Sequence, residues 1–196
     1  MRSHFRTLSI FLLVLMNALL TSPMGIGKSK ASAQRKPELS TKRDPAQARQ
    51  RLERLVRHEL VMLPYYSVFD NLAFKVEGSR VELLGQVSRP TLKSDSERVV
   101  KNIEGVESVT NKIEVLPVSP NDDRIRLAVY RAIYGHTALQ RYGLQAVPPI
   151  HIIVKNGNVT LVGVVNNEVD RAKAENNARF AATFFSLTND LRVERG

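Results

Sequence analysis

One segment of this chain occurs twice, and the duplication restricts the possible folds more than any other feature. Residues 72–115 align with residues 150–193 at an offset of 78 positions without a gap, and ten of the 44 aligned positions are identical. The most similar stretches are VELLGQV at 81–87 and VTLVGVV at 159–165. A repeat at fixed spacing indicates one structural unit used twice. The sequence therefore predicts two domains of about 70 residues, a size that is marginally stable alone and gains from packing on a neighbour.

The first copy has the pattern of a helix, a hairpin, a second helix and a third strand. Pro45 stands at a predicted helix start, and Pro64 ends that helix. Two strands with alternating apolar residues flank the turn at Gly78. A second helix begins near Pro90, and a last strand is predicted over 109–115. The first unit is therefore αββαβ.

The second copy repeats this order. Ser119 is a predicted cap for its first helix, and Asn156-Gly157 is a strong hairpin signal. The remaining predicted elements are strands at 150–155 and 159–165, a helix at 168–182 and a strand at 187–193.

Both copies predict the same α+β fold, in which a three-stranded mixed sheet carries two helices on one face. The helical connection from the second to the third strand is a crossover, which should be right-handed. We expect the first strand at the centre of the sheet. The face of the sheet without helices is only partly apolar, and we expect the other domain to dock there. Leu84 lies out of phase with the apolar side of its strand and therefore needs cover from outside its own core.

The N-terminal region has the features of an export signal. Basic residues precede an apolar run at 8–20, and Ala31 and Ala33 supply the small residues of a cleavage site. We expect cleavage after Ala33 and a periplasmic or exported protein; the alternative is an uncleaved inner-membrane anchor. The predicted divisions of the chain are a signal peptide at 1–33, a basic disordered spacer at 34–43, a first domain at 44–117 and a second domain at 118–196.

The positive charge is concentrated near the start of the expected mature chain. The formal net charge is +10, and the four bases within 1–33 leave +6 for the rest. Residues 34–58 contain eight bases and three acids, and so account for +5 of that value. A basic arm fits an anionic surface, and it fits a solubilising tail equally well.

The composition excludes several kinds of site. The chain has no Cys, which excludes a disulfide, a lipid anchor on Cys and a thiol nucleophile. His58, His136 and His151 lie in separate elements without metal-ligand spacing. Neither a phosphate-binding Gly-Lys-Ser/Thr loop nor a nucleophile elbow is present, and bases interleaved with aromatics are missing from the body of the chain. We therefore expect no enzyme activity, catalytic residue, cofactor, metal, small-molecule substrate or nucleic-acid partner.

Two groups of residues are candidates for binding a partner. Arg51, Arg54 and His58 lie at i, i+3 and i+7 on one face of the first helix, with Arg43 just before it. The second group is aromatic and consists of Tyr65, Tyr66, Phe69, Tyr134 and Tyr142. Amphipathic aromatic side chains suit a lipid–water boundary or a seam between domains, and we favour the seam.

Four repeated residues are predicted to have structural roles. Gly85 and Gly163 lie in the middle of a strand, where a missing Cβ lets a helix backbone approach closely. Asn111 and Asn189 lie in apolar phase on the third strand of each unit. A buried amide must be hydrogen-bonded, so each Asn is expected to fix neighbouring backbone.

The repeated pattern resembles the BON domain, a family named for a bacterial osmotically inducible periplasmic protein and nodulation proteins. In the first copy the resemblance lies in Val76, Val81, Leu83, Gly85, Val87, Gly105, Val109, Asn111, Ile113 and Val115. In the second it lies in Val154, Val159, Leu161, Gly163, Val165, Phe184, Leu187, Asn189, Leu191 and Val193. The resemblance covers most of 46–194. It implies an αββαβ fold, a cell-envelope location, a link to osmotic or envelope stress and binding of phospholipid or envelope surfaces.

Two functions remain open from the sequence. The first is a non-enzymatic envelope protein that binds anionic phospholipid through the basic arm, the first helix and the aromatic loop. The second is a protein-interaction scaffold in an envelope, stress-response or secretion assembly. Salt-sensitive binding to vesicles favours the first, and capture of a defined protein at high salt favours the second.

Overall fold

Each copy of the repeat forms its own sheet with two helices. The computed structural model describes residues 45–194, so the predicted signal peptide, the spacer and Arg43 lie outside the described residues. The helices are α1 (Pro45–Val61), α2 (Pro90–Lys101), α3 (Pro120–Tyr134) and α4 (Glu168–Arg179), with a short 3₁₀ helix at Gln140–Leu144. The strands are β1 (Asn71–Glu77), β2 (Arg80–Val87), β3 (Ser108–Asn111), β4 (Glu114–Val115), β5 (Ile150–Lys155), β6 (Asn158–Val165) and β7 (Ser186–Val193).

The second strand of each unit is central, so the expected central position of the first strand is wrong. β2 pairs antiparallel with β1 and parallel with β3 and β4, and β6 pairs antiparallel with β5 and parallel with β7. Val81, Leu83 and Val87 on β2 are fully buried. In the first sheet β2 has the most buried side chains, and the central position pairs both of its edges.

Two predicted boundaries differ from the structure. The predicted strand at 109–115 is interrupted at Lys112 and Ile113, where Lys112 N–H still donates to the Leu83 carbonyl at 2.8 Å. The last helix ends at Arg179 and not at 182, which leaves Phe180 as an exposed capping residue. The predicted cap at Ser119 is present, since its side chain accepts from Asp122 N–H at 3.2 Å.

Helical and strand periodicities converge on one core in each unit. In the first unit Leu52, Val56 and Leu60 of α1 pack with apolar residues of β2 and α2. In the second unit α3 contributes the equivalent row: Ile125, Val129 and Ile133. Only small residues, Ala174 and Ala178, face that core from α4.

The mid-strand glycines are required by the neighbouring strand. Gly85 has φ of +109° and Gly163 has φ of +128°, a region that side chains rarely adopt. A Cβ on Gly85 would overlap the Asn71 carbonyl, and one on Gly163 would overlap the Pro149 carbonyl. The close backbone is that of the adjoining hairpin strand, so the expected approach of a helix is wrong.

Each repeated asparagine joins a helix to the third strand. Asn111 Nδ2 donates to the Lys93 carbonyl at 2.9 Å and to Glu97 Oε2 at 3.1 Å, while its Oδ1 accepts from Ile113 N–H at 3.1 Å. Asn189 makes the same three bonds, to Arg171, Glu175 and Leu191. The acid that receives the amide is also repeated, since Glu97 and Glu175 are 78 positions apart.

The loop between α1 and β1 connects the two units. Val68 is buried in the core of the second unit, and Phe69 packs against that core. The Ile152 amide on the edge of β5 donates to the Val68 carbonyl at 2.7 Å. A further link is the ion pair between Lys155 and Glu114 at 2.5 Å. The first unit thus supplies part of the interior of the second.

Candidate functional site

The outward side of α1 is the most continuous candidate surface. Arg51, Arg54 and His58 are all exposed along this side. The Met62 amide donates to the His58 carbonyl at 3.1 Å, so the helical turn continues past the end of α1. The exposed Met62 and Tyr65 follow in the turns after α1, with exposed fractions of 67% and 70%. We call these five residues the α1 stripe.

Charge and apolar surface are separated along the α1 stripe. Its first two residues are arginines, of which Arg51 lies 3.8 Å from the exposed carboxylate of Glu104. An exposed pair at this distance contributes little and leaves the guanidinium free to bind another anion. Tyr65 lies with its ring 4.9 Å from the Arg89 guanidinium, which adds one more base at the apolar end. Met62 was not among the predicted site residues, although its position four residues after His58 predicts that it lies on the same side of the helix.

The aromatic candidates fall into three different places. Tyr66 stacks on His151 of the second unit with ring centroids 5.6 Å apart, and Phe69 meets Tyr130 edge-on at 6.0 Å. Tyr66 and Phe69 therefore lie in the seam between the units. Tyr65 is exposed on the α1 stripe instead. The structure does not bring the five aromatic residues together.

Tyr134 and Tyr142 belong to the interior of the second unit. The Tyr134 hydroxyl donates to the Ile150 carbonyl at 2.6 Å, and burial raises the pKa of this tyrosine. Tyr142 is buried, and its hydroxyl donates to Asp170 at 2.7 Å while accepting from Asn166 N–H at 2.9 Å. These partners satisfy the polar tips, so the two rings are structural and are not available to a ligand.

The buried acids are likewise satisfied by backbone and side chains. Asp70 accepts from the amides and hydroxyls of Ser67 and Ser88 at 2.6–3.0 Å. Asp122 accepts from the Asn156 and Gly157 amides at 2.8 Å and so fixes the hairpin turn to α3. Neither carboxylate is free for acid–base chemistry. Among residues 45–194 no cluster of histidines and acids has the arrangement of a metal site.

The seam contains one polar atom without a partner. His151 is 9% exposed, and its Nδ1 has no hydrogen-bond partner in the described part of the chain. Burial lowers the pKa of His151, against the opposing effect of the Ser67 and Asp70 carbonyls and the Asp70 charge. Burial also raises the pKa of the adjoining Tyr66 to about 12. Burial thus favours the neutral form of both rings.

An open cleft of about 1270 Å³ separates β1 from the second unit. Every residue of β1 lines one wall, next to Arg57 and Leu60 of α1. The opposite wall includes Val162, Val164 and Pro149. Sequence reasoning did not find this cleft, because its walls come from segments about 90 positions apart. Leu84, expected to contact the second unit, is half-buried and does not line it.

Two exposed phenylalanines distinguish the second unit from the first. Phe180 and Phe185 are each 86% exposed, at the connection between α4 and β7. The equivalent residues in the first unit, 78 positions earlier, are Asn102 and Glu107. Their selective exposure in one copy is a second candidate surface. No helix within 45–194 is both long and apolar enough to cross a membrane.

The fold and the repeat define a class of protein: a tandem αββαβ protein whose candidate sites are surfaces. The family model described as "BON domain" matches residues 47–117 and 121–195. The chain therefore belongs to the BON-domain family and contains two tandem copies, which confirms the resemblance seen in the sequence. BON domains are binding domains.

Comparison with other proteins adds little beyond the family. The sequence matches no curated protein. The chain is similar to two solved structures of CdsD, a structural protein of the type III secretion system of Chlamydia trachomatis. The C-terminal domain of CdsD is 14% identical, with a TM-score of 0.25, over 74% of this chain and 98% of that chain. The second structure is 16% identical, with a TM-score of 0.26, over 72% of this chain and 91% of that chain.

Proposed function

We propose that this protein is a non-enzymatic binding protein of the cell envelope that attaches to anionic phospholipid surfaces. Membership of the BON-domain family supports a binding role. The observation that carries the proposal is the α1 stripe, in which exposed bases are followed by exposed Met62 and Tyr65. Bases fit phosphate headgroups, and amphipathic aromatic side chains fit the boundary between headgroups and acyl chains.

The expected attachment is weak and depends on salt. Each Lys or Arg near an anionic membrane contributes about 1 kcal/mol, and the attraction is screened beyond a Debye length of about 8 Å at physiological salt. Three or four engaged bases give roughly 3–4 kcal/mol, an affinity on the order of millimolar. Arg43, which precedes α1 and lies outside the described residues, is the third base of the proposed site.

Vesicle binding tests the proposal directly. We expect the protein to sediment with vesicles rich in phosphatidylglycerol or cardiolipin, to bind zwitterionic vesicles little, and to dissociate at high salt. A variant with Arg43→Ala, Arg51→Ala and Arg54→Ala should bind at least about a hundredfold more weakly, at about 1 kcal/mol per base. Arg51 and Arg54 are exposed on α1, and Arg43 precedes the described residues, so the variant should remain folded.

A control variant removes two other bases from the same unit. Arg98 and Lys101 are exposed on α2, so the Arg98→Ala, Lys101→Ala variant loses two bases away from the α1 stripe. This control should bind vesicles nearly as well as the parent. If the α1 variant binds as well as the control, the basic segment is only a solubilising tail and the lipid proposal fails.

An exported location belongs to the same proposal. A basic start, an apolar run at 8–20 and small residues at Ala31 and Ala33 support cleavage after Ala33. N-terminal sequencing of the exported protein should begin at Gln34. A protein that begins at Met1 would support the membrane-anchored form instead.

A specific observation also favours the scaffold as a second candidate function. Phe180 and Phe185 expose apolar surface at one end of the second unit, and such patches mark sites of protein association. A scaffold should bind a defined envelope protein at high salt and lose it on Phe180→Ser, Phe185→Ser substitution. Retention of that partner by the double variant would remove this candidate.

A further inference from the structure

β5 and β1 are equivalent edge strands, and each outward-facing residue of β5 has a backbone group engaged by a partner outside its sheet. The Ile150 carbonyl accepts from the Tyr134 hydroxyl at 2.6 Å, and the Ile152 amide donates to Val68 at 2.7 Å. The Val154 carbonyl accepts from the buried guanidinium of Arg126 at 2.6 Å. The even-numbered residues of β5 therefore direct their backbone away from β6, and each has a partner there.

The outer edge of β1 is open at the equivalent positions. The register is the same, since Leu72 lies opposite Gly85 as Ile150 lies opposite Gly163. By the 78-residue offset, Leu72, Phe74 and Val76 direct their backbone away from β2. The Tyr66 hydroxyl lies near the Leu72 backbone. For Phe74 and Val76, no outer backbone partner is present within the described range.

The open edge of β1 faces the cleft. All seven residues of β1 line the cleft, with Val162 and Val164 on the opposite wall. A single extended segment can pair with the edge of β1 and direct alternate side chains toward Val162 and Val164 on the opposite wall.

We propose that the cleft binds an extended segment of a partner polypeptide, which pairs with β1 and adds a strand to the first sheet. In this mode main-chain hydrogen bonds supply affinity, and alternating side chains supply specificity. The segment should carry apolar residues at alternate positions, because the half-buried Val162 and Val164 line the wall opposite β1. The chain itself makes one main-chain bond of this kind, from the Ile152 amide on β5 to the Val68 carbonyl. The site is separate from the α1 stripe and does not depend on lipid binding.

Amide exchange in the free protein provides the first test. The Ile152 amide is bonded to Val68 and should exchange slowly, whereas the equivalent Phe74 amide should exchange at least about tenfold faster. Similar exchange rates for these two amides would overturn the proposal, because they would mean that the edge of β1 is already closed.

A selected peptide provides the second test. The probe is a random heptapeptide library displayed on phage and selected on the mature chain. We expect enriched peptides with alternating apolar residues, and their binding should slow exchange of the Phe74 and Val76 amides. Phe74→Pro removes an outward N–H without removing a bond to β2, so it should weaken binding at least about tenfold. Phe74→Ala keeps the N–H and serves as the matched control, which should bind more tightly than Phe74→Pro.

The outcomes separate clearly. Thermal melts first establish that both variants are folded. If Phe74→Pro is unfolded, the test is whether bound peptide slows exchange of the Phe74 and Val76 amides in the parent protein. Equal binding of the peptides to the Pro and Ala variants, unchanged exchange of the two amides, or no enriched peptide would each overturn the proposal. Vesicle binding by the parent is unaffected by any of these results, so this proposal and the lipid proposal fail independently.

Discussion

The Ile152 amide on the edge of β5 donates to the Val68 carbonyl at 2.7 Å, although the two residues belong to different BON domains. Val68 is buried in the core of the second domain, and Phe69 packs beside it. The second domain is therefore completed by a loop of the first. This explains how two small domains without a disulfide can share their stability.

The first prediction concerns this shared interior. Phe69→Ala should lower the free energy of unfolding by about 1–3 kcal/mol, because the ring is half-buried against Tyr130 and the second core. Urea denaturation measures the change. Phe185→Ala removes a ring of the same size that is 86% exposed and should cost less than about 0.5 kcal/mol. The isolated fragment 120–196 should also melt below the tandem protein; equal melting would contradict a shared interior.

The second prediction is a loss of stability at mildly acidic pH. Burial lowers the pKa of His151, so the unfolded chain binds a proton more readily than the folded one. Stability is therefore unaffected well above the unfolded pKa of about 6.5 and is lost as pH falls through that value. Urea midpoints measured from pH 7.5 to 5.5 should fall, and His151→Gln should flatten the dependence. His58→Gln, at an exposed site, should leave it unchanged; if His58→Gln flattens it equally, the assignment to His151 is wrong.

The third prediction compares glycines with positive φ. Gly85→Ala and Gly163→Ala should each cost at least about 2 kcal/mol, because the new Cβ meets a neighbouring carbonyl in addition to the unfavourable φ. Gly78 also has positive φ, +64°, but a Cβ there meets nothing within 4 Å. Gly78→Ala should therefore cost only about 1 kcal/mol. Equal losses at Gly78 and Gly85 in thermal denaturation would show that the carbonyl contact is unimportant.

The fourth prediction concerns the clamp between Asn111 and Glu97. Asn111→Asp keeps the acceptor for the Ile113 amide but replaces the donor to Glu97 with a second carboxylate. The variant should be least stable when both acids are ionised and should recover part of the loss as pH falls toward 5. Asn111→Ala should lose about 1–3 kcal/mol with no such recovery. Denaturation of the two variants at pH 7 and pH 5 distinguishes charge repulsion from simple loss of hydrogen bonds.

Much of the fold was determined by the sequence alone, because the signals concerned are local or repeated. Helical spacing identified the buried side of α1 at Leu52, Val56 and Leu60. Alternation and the Asn156-Gly157 turn located the second hairpin within one residue. The gap-free repeat identified the two BON domains, and the spacing of Arg51, Arg54 and His58 placed them on one exposed side.

Only the tertiary structure decided how the two copies came to differ. The central position of β2 depends on which strand edges pair, and strand edges leave no periodic mark in the sequence. Val68 and Phe69 leave their own domain for the neighbouring core, a choice that depends on space near residues more than 55 positions away. The same long-range contact closes β5, while its equivalent β1 stays open beside the cleft. Similar local patterns thus produced one closed and one open edge: β5 is capped by the Val68 carbonyl of the other domain and by Tyr134 and Arg126 of α3, whereas Phe74 and Val76 of β1 have no such outer partners in the described residues.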